Sequence, residues 1–137
     1  MKLSSLLRAL LHTSISGLAL SLALTAQAQN TYPNKSINLV VPYGAGGSAD
    51  SRSRQLAQKM SVILKQAIVI DNKPGAGGNI GTEFVARSAP DGYTIGMGNF
   101  APMAVNKTLF GNLRYDPETA LTPIILIEKG PLILVVN

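Results

Sequence analysis

Two short glycine runs, Gly44-Ala45-Gly46-Gly47 and Gly75-Ala76-Gly77-Gly78, are the residues of this chain best able to do chemistry, and what surrounds them limits that chemistry sharply. The sequence has no Cys and one His, His12, which lies in the first segment. Past that segment there is no imidazole and no thiol. A Ser–His–Asp triad, a Cys nucleophile and the usual His/Cys zinc ligands are therefore unavailable, and any catalysis would rest on Asp, Glu, Lys or Tyr. No catalytic group, metal site or cofactor is expected. The glycine runs offer backbone N–H donors instead. A glycine turn at a helix N-terminus presents unpaired donors at the positive end of the helix dipole, which suits an anion.

The flanking residues set those turns between strands and helices. Residues 37–41 (Ile-Asn-Leu-Val-Val) and 67–70 (Ala-Ile-Val-Ile) are β-branched runs with little alternation, which predicts buried parallel strands. The first leads through Pro42-Tyr43 into its glycine turn and then into a helix over 48–65. Leu56, Met60, Ile63 and Leu64 form the apolar stripe of that helix, and Ser48 or Asp50 is suited to cap it. Arg52, Arg54 and Lys59 read as a solvated face. The second strand ends at Asp71. Asn72-Lys73-Pro74 introduces the second turn, and a short helix over 80–88 follows, with Ile80 and Phe84 expected against the sheet. Parallel neighbours open both turns on one sheet edge.

Pro90-Asp91-Gly92 suits a tight turn, which makes Asp91 a turn residue and starts a third strand at Tyr93. That strand, 94–98, is glycine-rich, a sign of close approach by another backbone or a ligand, and Asn99 and Phe100 stand at its end. A helical pattern over 103–110 comes next. Asp116-Pro117 reads as a cap with proline at the first helical position. Residues 124–127 and 131–136 are predicted as two further strands. The sequence stops just after the apolar pair Val135-Val136, so the sheet looks interrupted and the chain truncated.

Residues 1–28 read differently. Lys2 and Arg8 precede an apolar run over 9–24, and Ala26-Gln27-Ala28 supplies a small-residue cleavage site, the pattern of a secretory signal peptide. His12, Ser14 and Ser16 break the run, which is too short for a membrane span. Export to the periplasm and processing before Gln29 are expected. Loss of Lys2 and Arg8 lowers the formal charge from +5 to +3. No basic stripe with interleaved aromatics remains, so nucleic acid is not an expected partner.

Two readings compete for the glycine turns. Gly44-x-Gly46-x-x-Ala49 fits the dinucleotide fingerprint, with Asp71 at the end of strand two where a ribose-binding acid belongs. Against it, Pro42-Tyr43 intervene between strand and turn, and the second turn has no part in that scheme. Alternatively the turns merely connect strand to helix.

The residues also carry a resemblance. Pro42-Tyr43-Gly44-Ala45-Gly46-Gly47-Ser48-Ala49-Asp50 resembles the P-[FY]-x-x-G-G-x-x-D signature of the tripartite tricarboxylate transporter receptors, the Bug-type solute receptors. Asn72-Lys73-Pro74-Gly75-Ala76-Gly77-Gly78, Ala89-Pro90-Asp91-Gly92-Tyr93-Thr94, Asn106 with Leu109-Phe110, and Tyr115-Asp116-Pro117 follow in the family's order and spacing. Thr122-Pro123 also fits, with Ala120 where many members carry an acid.

The resemblance implies an α/β fold of the type II-like periplasmic binding protein, with βα units of a first domain over 29–115 and the start of a second over 116–137. It implies a receptor, not an enzyme, that closes on a small carboxylate and hands it to a membrane permease. Tyr43, Gly46, Gly47, Ser48 and Asp50 match the family's first ligand loop. By the strand argument, Gly77, Gly78, Asn79 and Asn99 line the same edge.

Overall fold

The computed structural model describes residues 32–130. The segment read as a signal peptide and the last predicted strand, 131–136, lie outside the described residues. Residues 32–34, with a cis Tyr32–Pro33 peptide, belong to a leading unit, and the elements below belong to the unit that begins at Lys35.

Strand β1, Ile37–Val41, forms where the sequence predicts it and is the centre of the fold. Leu39, Val40 and Val41 are each at most 2% exposed. Successive strand residues point to opposite faces, so β1 is covered on both. Strand β2, Ile68–Asn72, lies parallel to it on one side and β3, Thr94–Gly96, parallel on the other, giving the order β2-β1-β3. Leu39 is level with Ile70 and with Ile95.

Parallel neighbours require crossover helices: α1, Ser48–Leu64, between β1 and β2, and α2, Asn79–Ala86, between β2 and β3. The two crossovers run in opposite directions across the sheet. With right-handed connections they put α1 and α2 on opposite faces, which is why both faces of β1 are buried. A 3₁₀ turn, Ala76–Gly78, leads into α2. After β3 a π-helical turn, Ala101–Val105, continues directly into the one-turn helix α3, Asn106–Leu109, in the region predicted to be helical.

Several details differ from the sequence pattern, each for a packing reason. Helix α1 turns Asp50, Ser53 and Ala57 inward, while Ile63 is 78% exposed and Leu56, Met60 and Leu64 are half-buried. Small residues let the helix approach closely, and Ser53 Oγ satisfies itself by donating to Ala49 O at 2.7 Å. Neither Ser48 nor Asp50 is the N-cap; Gly47 is, with no side-chain cap bond. Strand β2 is half-buried because it is an edge of the three-stranded sheet that the described residues form, with Val69 52% exposed.

Helix α2 likewise buries Asn79, Gly81 and Thr82 and leaves Ile80 and Phe84 exposed at its surface. Its close approach explains the inversion. A Cβ on Gly81 would stand 2.8 Å from Pro42 Cα and 2.9 Å from Lys73 O, so only glycine fits where α2 crosses the loops after β1 and β2. The Phe84 ring is met instead by Lys73, whose Nζ lies 4.4 Å from its centre. The glycine of β3 has a similar cause: a Cβ on Gly96 would reach 2.9 Å from Val85 Cγ2 of α2.

Asp91 is a turn residue, its Oδ1 accepting the Tyr93 N–H at 3.0 Å. Asp116 caps a single turn, accepting the Glu118 N–H at 3.2 Å while its carbonyl takes that of Ala120 at 2.9 Å. Residues 124–127, predicted as a strand, form none. They are exposed and irregular, with no neighbouring strand among the described residues to pair with.

Candidate functional site at the carboxyl edge of the sheet

In an open α/β sheet, ligands bind outside the carboxyl ends of the strands, where successive connections leave in opposite directions. Here that point is the gap between β1 and β3. The loop Pro42–Gly47 flanks it on one side and Asn99 on the other.

The first loop is held by one buried acid. Asp50, 3% exposed, lies in the first turn of α1, and its Oδ2 accepts the N–H of Gly46 at 2.9 Å and Arg54 Nε at 2.9 Å. Its Oδ1 takes Asn72 Nδ2 at 3.1 Å. The same Asn72 amide donates to Tyr43 O at 3.0 Å, so both ends of the loop are tied to the end of β2. Hydrogen bonding to Arg54, and then to Gly46 and Asn72, holds the Asp50 carboxyl down at about 2. Gly46 sits at φ +84, which requires glycine there.

Asp50 suits a helix cap and, by the family resemblance, belongs to the ligand loop. Its carboxylate is instead buried and engaged by Gly46, Arg54 and Asn72, so it shapes the loop. The Gly46 N–H, which a dinucleotide site would aim at a pyrophosphate, is taken by that carboxylate. Asp71, the acid of that reading, pairs with Lys73 at 3.1 Å and accepts Asn38 Nδ2 at 3.3 Å.

The open donors are those beyond Gly46. Ser51 is the first residue of α1 whose N–H reaches a helical carbonyl, Gly47 O at 2.9 Å. The N–H groups of Gly47, Ser48 and Ala49 find no acceptor among the described residues, as the first turn of a helix dictates. Gly47 has φ −75, and a Cβ built on it meets only Gly44 O, at 3.5 Å. Neither backbone conformation nor packing among the described residues demands glycine at that position.

The second turn differs. Gly75, Ala76, Gly77 and Gly78 all have positive φ, and a Cβ on Gly75 would collide with Ile80 Cδ1 at 2.5 Å. Two of its donors are internal, Gly78 N–H to Gly75 O and Asn79 N–H to Ala76 O. Its glycines are structural. The turn reaches the first loop through Gly78, where a Cβ would stand 3.1 Å from Tyr43 Oη. Tyr43 is half-buried there, and burial raises its phenol above the usual range.

Of the expected site residues, Tyr43, Gly46, Gly47 and Ser48 share the first loop and Gly78 joins them. Gly77 lies one residue further back, against Asn106. Asn79 is turned inward: its Oδ1 accepts Asn106 Nδ2 at 2.7 Å and faces Tyr115 Oη at 3.2 Å. Asn99, exposed beyond β3, uses its Oδ1 to accept the Ala101 N–H at 3.3 Å. The sequence reading assigned no site role to Asn72, Arg54 or Asn106. Asn72 and Asn106 stand in the motifs that carry the family resemblance; Arg54 is solvated as expected, its side chain 55% exposed, and from its i+4 position it also braces Asp50.

A parallel α/β sheet of order 2-1-3, with helices on both faces and a ligand edge at the carboxyl ends of its strands, is a doubly wound architecture. Residues 52–137 match the model of the tripartite tricarboxylate transporter family receptor, and the chain belongs to that family. Protein BugT of Bordetella pertussis is 40% identical over 109 residues, 79% of this chain and 33% of that protein. MatC from Rhodopseudomonas palustris, solved with bound malate, is 36% identical with a TM-score of 0.64 over 67% of this chain and 31% of that one. An R. palustris protein solved with adipate is 38% identical, with a TM-score of 0.62 over 64% of this chain and 29% of that one. The chain spans about a quarter to two fifths of the length of the curated relatives it matches.

Proposed function

We propose that this chain supplies the first ligand loop of an extracytoplasmic solute receptor, one that binds a small carboxylate and delivers it to a tripartite tricarboxylate-type membrane permease. The observation that carries the reading is Gly47. It is a glycine that neither its φ nor its described neighbours require, at the head of a 17-residue helix, beside N–H groups with no acceptor among the described residues. A carboxylate oxygen approaching those donors needs the space that a side chain would fill. The malate and adipate held by the two solved relatives are ligands of that chemistry.

The energetics are adequate for a receptor. Each charge-assisted hydrogen bond contributes ~1.5–3 kcal/mol net, and the helix terminus adds ~0.3–1 kcal/mol. With a second wall closing over the ligand, micromolar affinity, ~8 kcal/mol, is within reach after association costs. In this reading residues 29–115 belong to a first domain, 116–137 lead across to a second, and 1–28 direct export. Binding is reversible and the ligand leaves unchanged, since the described residues around the site offer donors, with neither a thiol nor an imidazole to activate the Ser48 hydroxyl.

Thermal-shift screening tests this reading. Dicarboxylates are expected to raise the melting temperature and to be recovered intact. Stabilisation by NAD with no response to any carboxylate would replace this reading with the dinucleotide one. Mass spectrometry of the periplasmic fraction tests export, with Gln29 as the expected first residue.

A further inference from the structure

Asn106 is buried, 3% exposed, in the first position of α3, outside the loops that form the candidate site. Its carboxamide donates twice, to Asn79 Oδ1 at 2.7 Å and to Gly77 O at 3.2 Å. The Gly77 peptide it grips is left-handed, φ +64, in a run of four positive-φ residues. Such a run has no regular ladder to hold it, and an L-residue at φ +47, Ala76, adds strain. Packing against Asn106 is tight, for a Cβ on Gly77 would lie 3.3 Å from Asn106 Nδ2. The next residue, Gly78, is the one that Tyr43 packs against.

We infer that Asn106 is a positioning residue for the ligand edge: by fixing the Gly77 carbonyl it holds Gly78 as the seat of Tyr43, and so sets how the first loop presents its donors. Two donors of one amide on two carbonyl oxygens cannot be supplied by a carboxylate, which has none, or by an aliphatic side chain. Tyr115 belongs to the same buried cluster but does a different job. Its hydroxyl lies 2.8 Å from Pro102 O and 3.2 Å from Asn79 Oδ1, and it makes no hydrogen bond to the glycine turn. Deleting that hydroxyl loosens the packing without releasing Gly77.

The affinity part of this inference rests on the receptor reading; the conformational part does not. The test compares Asn106→Asp with Tyr115→Phe in the full chain, reading the amide resonances of Gly77 and Gly78, the ring resonances of Tyr43, thermal melting, and titration with malate. Asn106→Asp is expected to move the Gly77, Gly78 and Tyr43 signals and to weaken malate at least tenfold. Tyr115→Phe is expected to lower the melting temperature while leaving those signals and the malate affinity in place. Equal displacement of the signals by both variants, or an Asn106→Asp protein with unmoved Gly78 and Tyr43, overturns the inference. If Asn106→Asp does not fold, Asn106→Ser, which keeps a short hydroxyl and adds no charge, is read by the same criteria. A parent chain without any malate response would count against the receptor reading, while the resonances of the variants would still decide the role of Asn106.

Discussion

Asp50 Oδ2 accepts the backbone N–H of Gly46 at 2.9 Å, so the acid of the first helical turn fixes the glycine loop that precedes it. The bond reaches back from the helix to the residue before its N-cap, in the manner of a capping box. With Arg54 and Asn72 on the remaining lone pairs, the carboxylate is an acceptor surrounded by donors.

Asp50→Asn keeps the shape and turns one of those acceptor positions into a donor that faces donors. The expected result is a melting temperature lower by roughly 5 °C or more, with the first loop released. Calorimetric melting of the variant beside the parent measures it. An unchanged melting temperature would mean that the brace contributes nothing.

The same carboxyl sets an acid dependence. Its value is lowered from 3.8 to about 2, first by Arg54, and that of Asp116 is lowered too, first by Lys107. A depressed folded-state value means that the stability is fully present above the unfolded value and is lost as pH falls through the folded one. Melting temperatures should be flat from about pH 5 to neutrality and decline between about pH 4 and 2. Asp50→Asn should make that decline shallower. A decline just as steep in the variant would assign it to other groups.

Gly47→Val separates ligand space from structural need. The backbone at Gly47 admits a side chain, and the nearest obstacle to a Cβ is 3.5 Å away. The fold should survive, while dicarboxylate binding by a receptor carrying this loop weakens by ~2 kcal/mol, about thirtyfold. Ser51→Ala, on an exposed position one turn along α1, is the control. Calorimetry with circular dichroism on both variants decides between a ligand turn and a connector.

Gly81→Ala is the converse case. Its Cβ would press into the backbone at Pro42 and Lys73, neither of which is a flexible side-chain tip. Overpacking of this kind costs ~1–3 kcal/mol, so denaturant unfolding should show a lowered midpoint. A midpoint equal to the parent's would mean that α2 has room to retreat.

The strands and crossovers were legible because their signals are local: β1 is a mostly apolar run rich in β-branched residues, and glycine or proline punctuates each connection that follows a strand. Burial within the helices was not. Apolar periodicity pointed to Ile63, Ile80 and Phe84, but α1 and α2 approach the sheet through Ser53, Ala57, Gly81 and Thr82, where small size counts for more than hydrophobicity. The site was legible as two turns on one edge. Its internal division of labour was not, because Asn72 and Asp50 are 22 positions apart and Asn106 and Gly77 are 29, distances that no spacing rule spans. No residue pattern distinguishes a glycine required by its own φ, such as Gly46, from one left free, such as Gly47.

Titration of the isotope-labelled chain with malate, followed at each backbone amide, tests the central claim most directly. The N–H groups of Gly47, Ser48 and Ala49 should shift together and saturably, with a Kd of about a millimolar, ~4 kcal/mol, for one wall of a binding cleft. Saturable shifts confined to the basic surface around Arg52, Lys59 and Lys65, with those three amides unmoved, would contradict it.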